Sequence, residues 1–147
     1  MFTRIVVGTD GSETAGEAVR QAVDLAKLAG ATLSIVSAFS PVPARKVKTQ
    51  QLDAPADVQY EIGPREDVNL VLEAAAAAVR KEGVEVTIHP VEADPADAIL
   101  NTAEEIKADL IVVGNKGMTG ARRYLLGSVP NNVSHHAPCS VMIVRTT

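Results

Sequence analysis

Short apolar stretches rich in β-branched residues recur along the chain, at residues 5–7, 33–39, 84–88, 110–113 and 141–144. Near-continuous runs of this length suit strands buried on both faces, as in a parallel sheet. Helical patterns fill the gaps. Ala15, Ala18, Val19, Ala22, Val23, Ala26 and Ala29 recur at spacings of three and four, one face of a helix. Asp10 and Ser12 precede it as cap candidates, Glu13 stands in its first turn, and Gly30 is placed to stop it. An Ala-rich second helix spans residues 67–81, with Gly83 as its stop. Pro95 opens a third, with Ala98, Ile99, Thr102 and Ile106 on its apolar-leaning face. A fourth begins near Gly127-Ser128 and runs to about His136. Pro130 falls in its first turn, where a missing N–H costs nothing, and Pro138 follows its end. This alternation predicts an α/β fold with a mostly parallel sheet and helices on both faces.

Composition narrows the function. A chain of 147 residues, 46% hydrophobic and 22% charged, has enough material for one core and is not a disordered chain. Its formal charge of −4 and aromatic content of 3% disfavour a phosphate-gripping or base-stacking nucleic-acid binder. Cys139 is the only cysteine, so no internal disulfide and no multi-cysteine zinc site can form. No apolar run approaches the roughly 18 residues of a membrane span, and the first residues lack a signal-peptide layout. The expectation is a cytoplasmic protein with no membrane partner.

Residues 40–64 break the pattern. They hold Pro41, Pro43, Pro55 and Pro64 with mixed charges and little periodicity. The segment reads as a flexible surface insertion, with a lid over a ligand as the alternative. No linker divides the chain, so residues 1–147 are expected to form one domain.

The densest chemical signal is Gly114-Asn115-Lys116-Gly117, then nine residues, then Gly127-Ser128. The first glycine follows a buried strand and the last pair opens a helix. Glycines let backbone N–H groups approach a phosphate, and a helix N-terminus favours an anion. Ser128 adds a hydroxyl donor, and Lys116, Arg122 and Arg123 add cations. Strand, glycine loop and helix at a sheet's carboxyl edge form the place where open α/β sheets bind ligands. Taken singly, each glycine is an ordinary turn or cap residue; together they point to a phosphate site. A Walker loop is excluded because Glu17 stands where its lysine is needed, and no G-x-G-x-x-G follows the first strand. Other candidates are weaker. His135 and His136 are adjacent, so on a helix they point about 100° apart and share a metal badly. His89 reads as an exposed strand end, and Cys139 as core.

The pattern G-x2-G-x9-G-[ST] across residues 114–128 resembles the signature of the universal stress protein family, in its ATP-binding branch. The opening Ile5-Val6-Val7-Gly8-Thr9-Asp10-Gly11-Ser12 and the stretch Asp109-Leu110-Ile111-Val112-Val113-Gly114 are similar to its first and fourth strands. The resemblance covers everything except residues 40–64. It implies an open sheet of five parallel strands, Rossmann-like and of the adenine nucleotide alpha hydrolase type. It also implies a nucleotide site. Gly8, Thr9 and Asp10 would lie beside the adenosine, with the Asp10 carboxylate accepting from adenine or ribose. Ala38 would flank the adenine, and Val113 and Gly114 the ribose side. Gly117, Gly127, Ser128 and Val129 would hold phosphates, with Asn115 and Arg123 also in the nucleotide-binding set. The implied ligand is ATP, or cyclic AMP or AMP, with Mg²⁺ as a companion ion. The implied partner is a second copy, paired through the last strand from Val141 to Arg145. The stretch from Gly127 to Ser134 is most similar to members that bind cyclic AMP as well as ATP. Where many members carry glycine before the third helix, this chain has Glu92-Ala93-Asp94-Pro95, and Asp94 adds negative charge at the site edge.

Four functions compete on this reading. They are an adenine-nucleotide-binding regulatory protein, a cyclic AMP sensor or buffer, a slow ATPase, and an interaction module with an empty site. No residue for orienting an attacking water is evident, so the expectation is binding without fast turnover.

Overall fold

The computed structural model describes residues 1–39, 65–115 and 127–146. In chain order the elements are β1 (Arg4–Gly8), α1 (Glu13–Ala29), β2 (Thr32–Phe39), α2 (Arg65–Lys81), β3 (Val86–Glu92), α3 (Pro95–Ile106), β4 (Leu110–Gly114), α4 (Ser128–His136) and β5 (Ser140–Val144). The strands form one sheet in the order β3-β2-β1-β4-β5, parallel at every pairing. The chain steps outward from β1 through β2 to β3, then crosses back to β4 on the other side. The strand order therefore reverses between β1 and β4, which is the switch point of an open α/β sheet.

Period-two alternation sorts the strand side chains onto two faces. Ile5, Val7, Leu33, Ile35, Leu110 and Val112 face α1 and α2, where they meet Ala18, Ala22, Val68 and Leu72. Val6, Val36, Ala38, Ile111 and Val113 face α3 and α4, where they meet Ala98, Ile99, Val129 and Val133. Both faces of β1 and β4 are thus dry, which is why their sequences are continuous apolar runs.

Local signals set the helix ends. Ser12 caps α1, its hydroxyl accepting from the Ala15 N–H at 3.2 Å, and Gly30 ends it in the left-handed region at φ 70°. Pro95 is at the start of α3, as its missing N–H allows. At the amino edge of the sheet, Asp109 accepts from the Thr3 N–H, the Thr3 hydroxyl and the Arg4 N–H at 2.8, 2.8 and 3.1 Å. Burial pushes that carboxyl upward, but these hydrogen bonds outweigh it and hold it below its usual range.

Two expectations change. The third strand runs over Val86–Glu92, shifted towards the C-terminus of residues 84–88. Val84 is buried in the approach to the strand, and Pro90 is accommodated because β3 is an edge. His89 is then no exposed strand end. It sits mid-strand opposite Val36, half-buried, and its Nε2 is buried without a hydrogen-bond partner. The segment 40–64, expected as a flexible insertion or lid, lies outside the described residues.

Candidate nucleotide site at the carboxyl edge of the sheet

The site begins where β1 ends. Gly8 pairs with Val36, and the next residue keeps the ladder going, the Thr9 N–H donating to the Val36 carbonyl at 2.9 Å. A Cβ on Gly8 would stand 2.7 Å from Cδ1 of Ile99, a buried residue of α3, so that methyl would have to move to admit one. α3 therefore presses directly on the end of β1. The chain then turns sharply. Thr9 Oγ1 accepts from the Gly11 N–H at 3.1 Å, and Asp10 Oδ1 accepts from the Ser12 N–H at 2.9 Å. These short loops tie both side chains to the backbone and aim the turn into α1. Gly11 takes φ +84°, and a Cβ there would stand 3.0 Å from Cγ1 of Val71 on α2. Asp10 is 8% exposed, an acidic group held close to the sheet.

On the other side of the switch point, β4 delivers Val113 and Gly114 to the same edge, both buried. Gly114 is opposite Val144 in the ladder. Asn115 follows, and its role differs from ligand contact alone. Its N–H donates to the Val144 carbonyl at 3.0 Å, and its Oδ1 accepts from the Thr146 N–H at 2.8 Å and the Thr146 hydroxyl at 3.1 Å. Asn115 therefore clamps the ends of β4 and β5 together, a function the sequence pattern did not disclose. Gly117 and Arg123, with Lys116 and Arg122, lie outside the described residues.

The chain returns at Gly127, the N-cap of α4, with extended backbone and no side-chain cap. Ser128 is exposed and Val129 buried, so the hydroxyl faces outward while the valine anchors the helix. Among the described residues, Gly127 offers the first-turn N–H groups of α4 no side-chain cap, in contrast to Ser12 at α1. They are donors with the positive end of the helix dipole behind them. Ala38 is buried at the end of β2, opposite Val91. Its neighbour Ser37 was not singled out by sequence. It is 2% exposed, and its Oγ has no hydrogen-bond partner.

A cavity of about 710 Å³ opens between α1 and α2, reaching the site only through Thr9, Gly11 and Ser12. Its remaining walls are largely apolar, including Val19, Val23 and Val71, so it is chemically unsuited to a phosphate. The glycine-ended strands and the uncapped α4 are the better anion site. Among the described residues, no group of three or more His, Cys, Asp or Glu is gathered to hold a metal ion. Also among the described residues, no helix is long and apolar enough to cross a membrane.

Comparison with known proteins matches this architecture. A sequence model described as the Universal stress protein family matches residues 1–145. Universal stress protein Rv1636 of Mycobacterium tuberculosis is 37% identical over 147 residues, covering 99% of this chain and 98% of its own. Universal stress protein YxiE of Bacillus subtilis is 35% identical over 150 residues, with 99% and 100% covered. A crystal structure of a universal stress protein in complex with cAMP aligns with TM-score 0.75 and 32% identity, over 99% of this chain and 98% of that one. The Archaeoglobus fulgidus protein in complex with dAMP aligns with TM-score 0.64 and 27% identity, over 96% of each. The motif, the sheet order and these relatives agree, and the chain belongs to the universal stress protein family.

Proposed function

We propose that this protein binds an adenine nucleotide across the β1–β4 switch point and serves as a regulatory binding protein rather than a fast enzyme. The observation that carries the reading is the meeting of two glycine-ended strands with an uncapped helix N-terminus at one sheet edge. Gly8 to Asp10 would receive the adenosine, with Ala38 flanking the adenine and Val113 to Asn115 the ribose. Gly127, Ser128 and Val129 would receive phosphate through α4's first N–H groups and the Ser128 hydroxyl. Gly117 and Arg123 join this set from sequence alone. Two structurally similar family members are complexes with cAMP and dAMP, each an adenine nucleotide with a single phosphate. ATP is the first ligand on the motif, and cyclic AMP is the second reading, supported by the first of those complexes. Mg²⁺ would arrive on the oxygens of a polyphosphate, since that ion keeps most of its water and needs few protein ligands.

The proposed assembly is a homodimer through β5, whose free edge carries the exposed Ile143. Titration calorimetry with ATP and with cyclic AMP tests the binding reading. Saturable one-to-one heat with either nucleotide supports it. Absence of heat with both, in protein shown by mass spectrometry to carry no bound nucleotide, overturns it.

A further inference from the structure

We propose that Asp94 biases the site by charge, weakening triphosphates relative to nucleotides with fewer phosphate charges. The inference rests on the nucleotide reading above and adds a specificity determinant to it.

The geometry starts with Ile99. Its Cδ1 lies 2.7 Å from where a Gly8 Cβ would stand, so this turn of α3 is level with the end of β1. α3 follows β3, which ends at Glu92 opposite Phe39, so its N-terminus is at the carboxyl edge of the sheet. Asp94 precedes Ile99 by five positions, which at about 1.5 Å per residue is roughly 7–8 Å further along the axis. The first turn of α3 therefore projects past the end of β1, to the height a ligand over Gly8–Asp10 would occupy. α3 also packs on α4, whose uncapped N-terminus is the proposed phosphate end.

Asp94 is placed as an N-cap, yet its side chain makes no capping hydrogen bond. It is exposed, and so are the neighbouring carboxylates Glu92 and Asp97. An aspartate at this position normally accepts from a first-turn N–H. Here the carboxylate remains a charge at the rim, not a structural bond. Its repulsion of a bound anion scales with the anion's charge: several charges on a triphosphate, one on a cyclic monophosphate. Salt screens this repulsion, strongly only beyond a Debye length of about 8–10 Å at ordinary ionic strength.

The test is calorimetry of ATP and cyclic AMP binding to wild type, Asp94→Asn and Asp94→Ser, at low and at molar salt. Glu104→Gln, an exposed carboxylate near the other end of α3, is the control. Both Asp94 variants are expected to tighten ATP about two- to five-fold and cyclic AMP much less, with the difference vanishing at molar salt, where the Debye length is about 3 Å. Glu104→Gln is expected to change neither. Equal effects on the two nucleotides, no effect, or a difference that survives molar salt would overturn the proposal. Failure of the underlying reading is distinguishable, because wild type itself would then bind neither nucleotide.

Discussion

Gly114 and Asp10 lie at the carboxyl ends of the two strands that flank the switch point, and the structure gives them different burdens. Gly114 is buried at the last rung of β4 and is not among the positive-φ glycines, so its backbone conformation does not require glycine. Gly114→Val is expected to abolish nucleotide binding by calorimetry while leaving the far-ultraviolet circular dichroism unchanged. Normal binding by that variant would remove the ligand from this strand end. Asp10→Ala is expected to weaken binding less, by about 1.5–3 kcal/mol for hydrogen bonds to a charged group. It carries a structural cost as well, because Asp10 Oδ1 holds the Ser12 N–H that starts α1. His89 supplies the pH dependence. Burial lowers its pKa, and the charge of Glu105 only partly opposes this. The unfolded imidazole then takes up a proton before the folded one does. Stability is full above the unfolded pKa of about 6.5 and falls as the pH drops below it. His89→Gln should flatten the decline in urea midpoint between pH 7.5 and 5.5. An unaltered decline would assign it to other groups.

At the level of elements, most boundaries were legible because several signals agreed at each. α1 had an apolar stripe, a capping serine and a terminal glycine. β1 and β4 had continuous apolar runs, and β2 a run broken only by the buried Ser34 and Ser37, because both faces are covered. β3 was misplaced because an edge strand is half-wet and loses that signature, and because Pro90 argues locally against a strand. At the carboxyl edge, the strand ends and turns at Asp10, Gly114 and Gly127-Ser128 were legible because their signals are local. The edge was obscure where two elements meet: the Asn115 clamp on Thr146 and the pressure of Ile99 on Gly8 depend on residues distant in sequence. The two edges of the sheet also differ. β3 carries Pro90, which blunts pairing, whereas β5 exposes Ile143 and has no proline. Light scattering is expected to give a dimer for wild type at high micromolar concentration, shifted towards monomer by Ile143→Lys. A monomeric wild type would refute pairing through β5.

For the molecule as a whole, the proposed role as a binding protein makes a kinetic prediction. Hydrolysis of ATP by the purified protein is expected well below the 1–10³ per second usual for enzymes. A rate inside that range, lost on Ser128→Ala, would make the protein an ATPase. Binding should instead appear as stability: a ligand at 100 times its dissociation constant adds about 2.7 kcal/mol, which a thermal melt registers directly.

The position of β1 has one more consequence, for biosynthesis. β1 pairs with β2 through a nearby crossover, but its other edge waits for β4, where Ile5 to Val7 meet Leu110 to Val112. During synthesis, that edge stays without its partner until the residues of β4 have been made. A nascent chain halted before residue 110 would therefore present an apolar, unpaired strand that in the finished protein lies at the centre of the sheet. Such edges invite association with other chains. Covering that edge is what the arrival of β4 accomplishes.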